Sequence, residues 1–215
     1  MIKKQTDPLG NESFFDKTNQ RFYSRIIGGL ATPGEKNGFA VIVGEERLPD
    51  WLLNKPKLYL LKEFEEQDTG ALLRHCSEYS GLLNVQRFVS YISEQDQEFF
   101  RQWNRREKEE RRTGLRITPA PMTESQNITF HINILRENLR EDHKVLQLLP
   151  ESRVKNHILD IPHRDLKTAT ADKYPAIAAL GYAVAYLTAY PYKPRTKKKR
   201  EYHIFDRINR RTRRF

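Results

Sequence analysis

Arg25-Ile-Ile-Gly-Gly-Leu-Ala-Thr-Pro-Gly-Glu-Lys-Asn-Gly-Phe-Ala-Val-Ile-Val-Gly44 decides how this chain folds. An apolar run over 22–27 reaches a Gly/Thr/Pro/Gly cluster, and a second apolar run over 39–43 follows at once. Two β-rich runs around Gly34-Glu-Lys-Asn-Gly38 predict an antiparallel hairpin. The rival pattern is a nucleotide-binding loop, Gly29-x-x-x-x-Gly34-Glu-Lys36. Such a loop needs Lys directly after its second Gly, then Ser or Thr, then a helix whose first turn holds phosphate. Here Glu35 intervenes, Asn37 takes the Ser/Thr place, and a strand-like run follows. The hairpin is therefore the reading adopted.

Outward from the hairpin, further strands are predicted over 57–64, 87–92 and 115–118, joining those over 22–30 and 38–45. Residues 69–84 repeat Leu72, Leu73, Cys76, Tyr79 and Leu83 at helical spacing, with Thr69 as a possible N-cap. Helices are also predicted over 96–112, 125–142, 152–159 and 173–190, and a short extended run over 144–149. The last helix centres on Ala176-Ile-Ala-Ala-Leu-Gly-Tyr-Ala-Val-Ala-Tyr-Leu187, whose small residues suit close packing. The polar segment 1–20 reads as an N-terminal arm. A three-stranded meander followed by strand–helix units predicts a mixed α/β sheet of five strands with helices on its faces.

Composition narrows the function. No apolar run reaches the length of a membrane span, and no apolar stretch follows Met1-Ile-Lys-Lys-Gln-Thr-Asp7. An intracellular protein without a membrane partner is expected. One cysteine, Cys76, leaves no internal disulfide or cysteine-rich zinc site, and its helical context reads as a buried thiol. Net charge is +10, yet residues 193–215 hold eleven Lys/Arg against Glu201 and Asp206, so the rest is nearly neutral. In that tail Lys197, Lys198, Lys199, Arg200, Arg210, Arg211, Arg213 and Arg214 flank Tyr202, His203 and Phe205. Cations interleaved with aromatics suit nucleic acid, through phosphate neutralisation and base stacking. A solubilising tail and an acidic protein partner are the other readings.

Three segments resemble the ribonuclease H-like superfamily, and within it the nuclease domain of the large terminase subunit of tailed bacteriophages. They are the run from Ile26 to Val43, Phe88-Val-Ser-Tyr-Ile-Ser-Glu-Gln-Asp-Gln-Glu98, and Ala171-Asp-Lys-Tyr-Pro-Ala-Ile-Ala-Ala-Leu-Gly-Tyr-Ala183. RuvC-type junction resolvases share the first motif. The resemblance implies a ribonuclease H-like domain over 21–192, followed by the basic tail. It also implies a metal-dependent DNA endonuclease of a viral genome-packaging terminase. In that superfamily carboxylates from the first strand, the fourth strand and the last helix converge on two Mg²⁺ or Mn²⁺ ions. Carried over by position, the fourth-strand acid is Glu94 or Asp96 and the last is Asp172, and these are the expected metal ligands. The first-strand Asp is missing: Ala31 fills its position. The chain therefore reads as an inactivated endonuclease, or as a non-catalytic DNA-binding or assembly module on the same fold. Other readings of the acids are a helix N-terminus for Glu94 and Asp96 and an N-cap for Asp172. His163 and Asp165 stand near the last motif in sequence and read as a loop. The implied partners are double-stranded DNA and the portal or other packaging proteins, in the host cytoplasm for a viral protein. The chain shows no convincing ATPase loop.

Overall fold

The computed structural model describes residues 2–34, 36–46, 56–94, 97–109, 116–121, 128–139, 145–159, 161, 170 and 172–194. In chain order they form β1 (Ile2–Thr6), β2 (Glu12–Asp16), β3 (Arg21–Ala31), β4 (Gly38–Glu46), β5 (Leu58–Glu66), α1 (Thr69–Leu83), β6 (Arg87–Ser90), α2 (Gln97–Glu109), β7 (Ile117–Pro119), α3 (Ile128–Leu139), β8 (Leu146–Gln147), α4 (Arg153–Leu159) and α5 (Pro175–Ala189).

The hairpin around Gly34 is β3–β4, antiparallel from Tyr23↔Glu46 to Ala31↔Phe39, and β5 continues the meander on the far side of β4. Beyond β3 the sheet turns parallel: β6 pairs with β3 and β7 with β6. The central order is thus β5-β4-β3-β6-β7, three antiparallel strands followed by two parallel ones, a mixed sheet whose meander is antiparallel as predicted. A strand, not a helix, follows Gly34, as the hairpin reading requires.

The sheet is larger than predicted, with eight strands among the described residues. Residues 1–20 were expected to form an arm. Instead β1 and β2 make a hairpin that pairs with the N-terminal part of β3. The Asp7 carboxylate closes its turn, accepting from the Leu9 and Asn11 backbone amides at 2.9 and 2.8 Å. The segment looks polar because β1 buries only Ile2 and exposes Lys3 to Thr6, so backbone pairing replaces an apolar face. The short run near 144–149 contributes β8, parallel to the start of β5.

Odd and even residues of β3 serve two cores. Ile27 and Ala31 face α5, with Phe39, Val41, Val43 and Val89 from the neighbouring strands. Ile26 and Leu30 face α1, with Leu72, Leu73, Cys76 and Phe88. Cys76 is fully buried, and that burial pushes its thiol well above the ordinary range. Asp68, not Thr69, caps α1, accepting from the Ala71 amide at 2.7 Å, and Asn84 ends the helix in the left-handed conformation.

Adjacent glycines in β3 make both packings possible. A Cβ on Gly28 would lie 2.2 Å from the Phe88 ring, and one on Gly29 1.8 Å from the Ala179 carbonyl oxygen. Helix α5 therefore lies directly on the β3 backbone. Its other side is covered by α3 and α4, so Pro175 to Ala185 are all buried. A helix apolar on every face suits that position between two layers.

Candidate active site

In parallel register Leu30 pairs with Ser90, which sets the next residues, Ala31 and Tyr91, side by side where β3 and β6 end. Ala31 is also the cross-strand partner of Phe39. Only 7% of its surface is exposed, and Phe39 is fully buried. Tyr91 and Tyr174 are partly buried against the same apolar cluster. Helix α4 brings His157 against Phe39, with ring centroids 6.3 Å apart. The Ala31 methyl is thus a packed core group between rings.

Asp172 lies in the turn before α5 and is exposed. Its Cβ stands 3.2 Å from where a Cβ on Gly34 would be, so it abuts the β3–β4 turn just beyond Ala31. It is not an N-cap: Tyr174 holds that place, with no side-chain capping bond, and Pro175 begins the helix. Lys36 stands in the same turn, with its ammonium 5.5 Å from the Tyr174 ring centroid. Tyr182, one residue past the Gly181 that receives the His131 ring, is 1% exposed. Burial pushes its phenol far above the ordinary range, and the charges of Asp172 and then Tyr91 push it the same way. The His131 ring lies edge-on to Tyr182 at 4.9 Å.

The predicted residues therefore fare differently. Ala31 lies at the end of β3, and Asp172 abuts the β3–β4 turn just beyond it. Glu94 sits exposed in the turn between β6 and α2. Asp96, His163, Asp165 and the tail cations Lys197 to Arg200 and Arg210 to Arg214 lie outside the described residues. Among the described residues, no group of three or more His, Cys, Asp or Glu side chains is placed to hold a metal ion. With a methyl group at the β3 position, the described residues alone do not complete a two-ion carboxylate centre. Tyr91 and Tyr174 were missed by sequence reasoning, although both lie inside the segments quoted for the resemblance. The strand alternation Phe88-Val89-Ser90-Tyr91, set beside that of β3, was the available signal.

The chain matches no protein-family model, and no curated protein matches it in sequence. Among solved structures it is similar to the nuclease domain of g2p, the large terminase of bacteriophage SPP1, with bound Mn. Identity is 17% and the TM-score 0.44, over 74% of this chain and 84% of that one. No helix among the described residues is long and apolar enough to cross a membrane.

Proposed function

We propose that this chain is a terminase-type nuclease module that engages double-stranded DNA and, as it stands, does not cut it. The nuclease kinship rests on the three sequence segments and on the β5-β4-β3-β6-β7 order. DNA engagement rests on the polycationic tail, whose Lys and Arg side chains would neutralise phosphates and release counterions. The observation that carries the inactive reading is Ala31, packed at the end of β3 where the resemblance requires an acid. Mg²⁺ or Mn²⁺ is the ion class the resemblance implies. The described oxygen donors nearest that purpose are Asp172 and Glu94, both exposed.

Two assays test this. Fluorescence anisotropy on duplex DNA should show binding that falls steeply with salt, and neutralising the cations of 193–215 should flatten that slope. Plasmid incubated with Mn²⁺ should stay intact. Mn²⁺-dependent nicking by the unmodified chain would overturn the inactive reading, and salt-independent or absent duplex binding would overturn DNA engagement. Ala31→Asp then separates the two forms. New nicking identifies an endonuclease disabled at one position. No gain identifies a non-catalytic DNA-binding or assembly module, the form favoured by the apolar surroundings of Ala31.

A further inference from the structure

The end of the sheet where Ala31 lies carries acids, with Glu65 across from Phe39, Glu66 across from Gly38 and Asp172 against Gly34, and it also carries rings. Tyr91 follows β6 beside Ala31, and Tyr174 precedes α5; both are partly exposed and both rest on the apolar cluster beneath. Lys36 projects from the β3–β4 turn over the Tyr174 ring, and Lys173 is exposed next to it. The turn bearing Lys36 is closed by the Gly34 amide donating to the Lys36 carbonyl at 3.0 Å, and Asp172 abuts its glycine. Lysine and tyrosine are therefore held together by local structure at the ends of two neighbouring strands and the start of the helix lying on them.

We infer that Tyr91, Tyr174 and Lys36 form a stacking site for an unpaired nucleobase and its phosphate, as found at a single-stranded or frayed DNA end. This rests on the DNA reading above and names the form of DNA that the end of the sheet takes. Every base has a π-face that an aromatic ring can cover, whatever the sequence. Inside a duplex both faces are already covered by neighbouring base pairs, so only an unpaired base, free of its partner, gains from the tyrosines. Lysine beside the rings supplies the charge for the adjoining phosphate. The tail differs: its cations offer phosphate contacts that duplex and single strand both satisfy, and its own rings, Tyr202, His203 and Phe205, stay in place when Tyr91 and Tyr174 are replaced. The two surfaces are therefore separable by those replacements.

The experiment uses the full chain and two labelled probes, a short oligothymidine and a blunt duplex of the same length. Anisotropy is read at low salt and at ~0.3 M salt, where phosphate-driven binding is largely lost. The unmodified chain should keep single-strand binding at the higher salt and lose most duplex binding. The double variant Tyr91→Leu/Tyr174→Leu should weaken the oligothymidine about tenfold and leave the low-salt duplex affinity unchanged. Tyr91→Phe/Tyr174→Phe keeps the rings and should bind as the parent does. Lys36→Gln, at an exposed residue, should weaken the single strand about threefold without touching the fold. Equal oligothymidine affinity in the parent, the leucine variant and Lys36→Gln would overturn the site. So would a leucine variant that loses both probes alike, or a parent that binds only duplex; in the last case the DNA reading survives. A parent that binds neither probe defeats both.

Discussion

The two ends of α5 treat charge in opposite ways. At the C-terminal end, Arg25 inserts between sheet and helix. It forms a two-pronged pair with Glu45 at 2.6 and 2.9 Å and donates to the carbonyls of Leu187 and Tyr190. Ser24 adds a hydroxyl to the same carboxylate at 3.0 Å. Glu45 is 2% exposed, yet fully supplied with donors. A guanidinium at the last carbonyls also complements the helix dipole. At the N-terminal end the acid, Asp172, is exposed and caps nothing, while the buried position beside it is a methyl group. Charge is thus buried where it fastens the helix at one end and left at the surface at the other.

The sharpest way to break the comparison is at the fastened end. Arg25→Ala strands the Glu45 carboxylate in the interior and frees two helix carbonyls. Removing one partner of a buried pair costs about 3–5 kcal/mol, which urea unfolding should register. A loss under about 1 kcal/mol would mean that the pair is solvated and that the two ends do not differ.

Ala31→Asp comes next, as the same experiment at the other end. The new carboxylate has rings on both sides and no described donor, so burial should raise its pKa above the ordinary value near 3.9. Below that pH both states carry the proton and the charge penalty is absent. As pH rises, the unfolded chain ionises first and the variant loses stability, by about 2 kcal/mol at neutral pH. A variant as stable at pH 7 as at pH 4, relative to the parent, would show that the position is open to solvent or cation.

A smaller effect lies in the alkaline limb. Tyr182 and Tyr23 both have phenols pushed up, chiefly by burial. Such groups contribute stability that is intact below the unfolded value near 10 and is lost as pH rises toward the folded one. Stability should therefore fall above about pH 10. Tyr182→Phe should remove about 1 kcal/mol per pH unit from that slope. An unchanged slope would place the titration elsewhere.

How much of this could be read beforehand varied with the source of each element's stability. The β3–β4 hairpin and α5 were legible because apolar runs, glycines and alanines stand in the sequence itself. The β1–β2 hairpin was not: its first strand, Ile-Lys-Lys-Gln-Thr, is held by backbone pairing and shows no alternating face. Ala31 was identifiable as a position, and its surroundings were not. Phe39 and Tyr91 become its neighbours only through the antiparallel and parallel registers, which span 8 and 60 residues of chain. The end of β6 was misplaced by two residues: the strand stops at Ser90 and not, as predicted, at 92, and Glu94 lies in the exposed turn that follows.

The smallest predicted effect concerns Asp172, and it completes the comparison. Asp172→Asn keeps the shape and removes the charge. The residue is exposed, gives no capping bond to α5, and abuts Gly34 with its Cβ and carboxyl group. Stability at pH 7 should therefore stay within about 0.5 kcal/mol of the parent. The charge does act on Tyr182, whose phenol it pushes up after burial does. Without it the folded-state pKa of Tyr182 moves back toward the ordinary value, so the alkaline loss of stability levels off at a lower pH than in the parent, with the same slope before that. The measurement is paired: urea unfolding at pH 7 and again across the alkaline limb. No change at the first and an earlier levelling-off in the second would mark Asp172 as a surface charge looking onto the ring-lined end of the sheet. A large loss at pH 7 would make it a structural brace, and the two ends of α5 would then differ in degree rather than in kind.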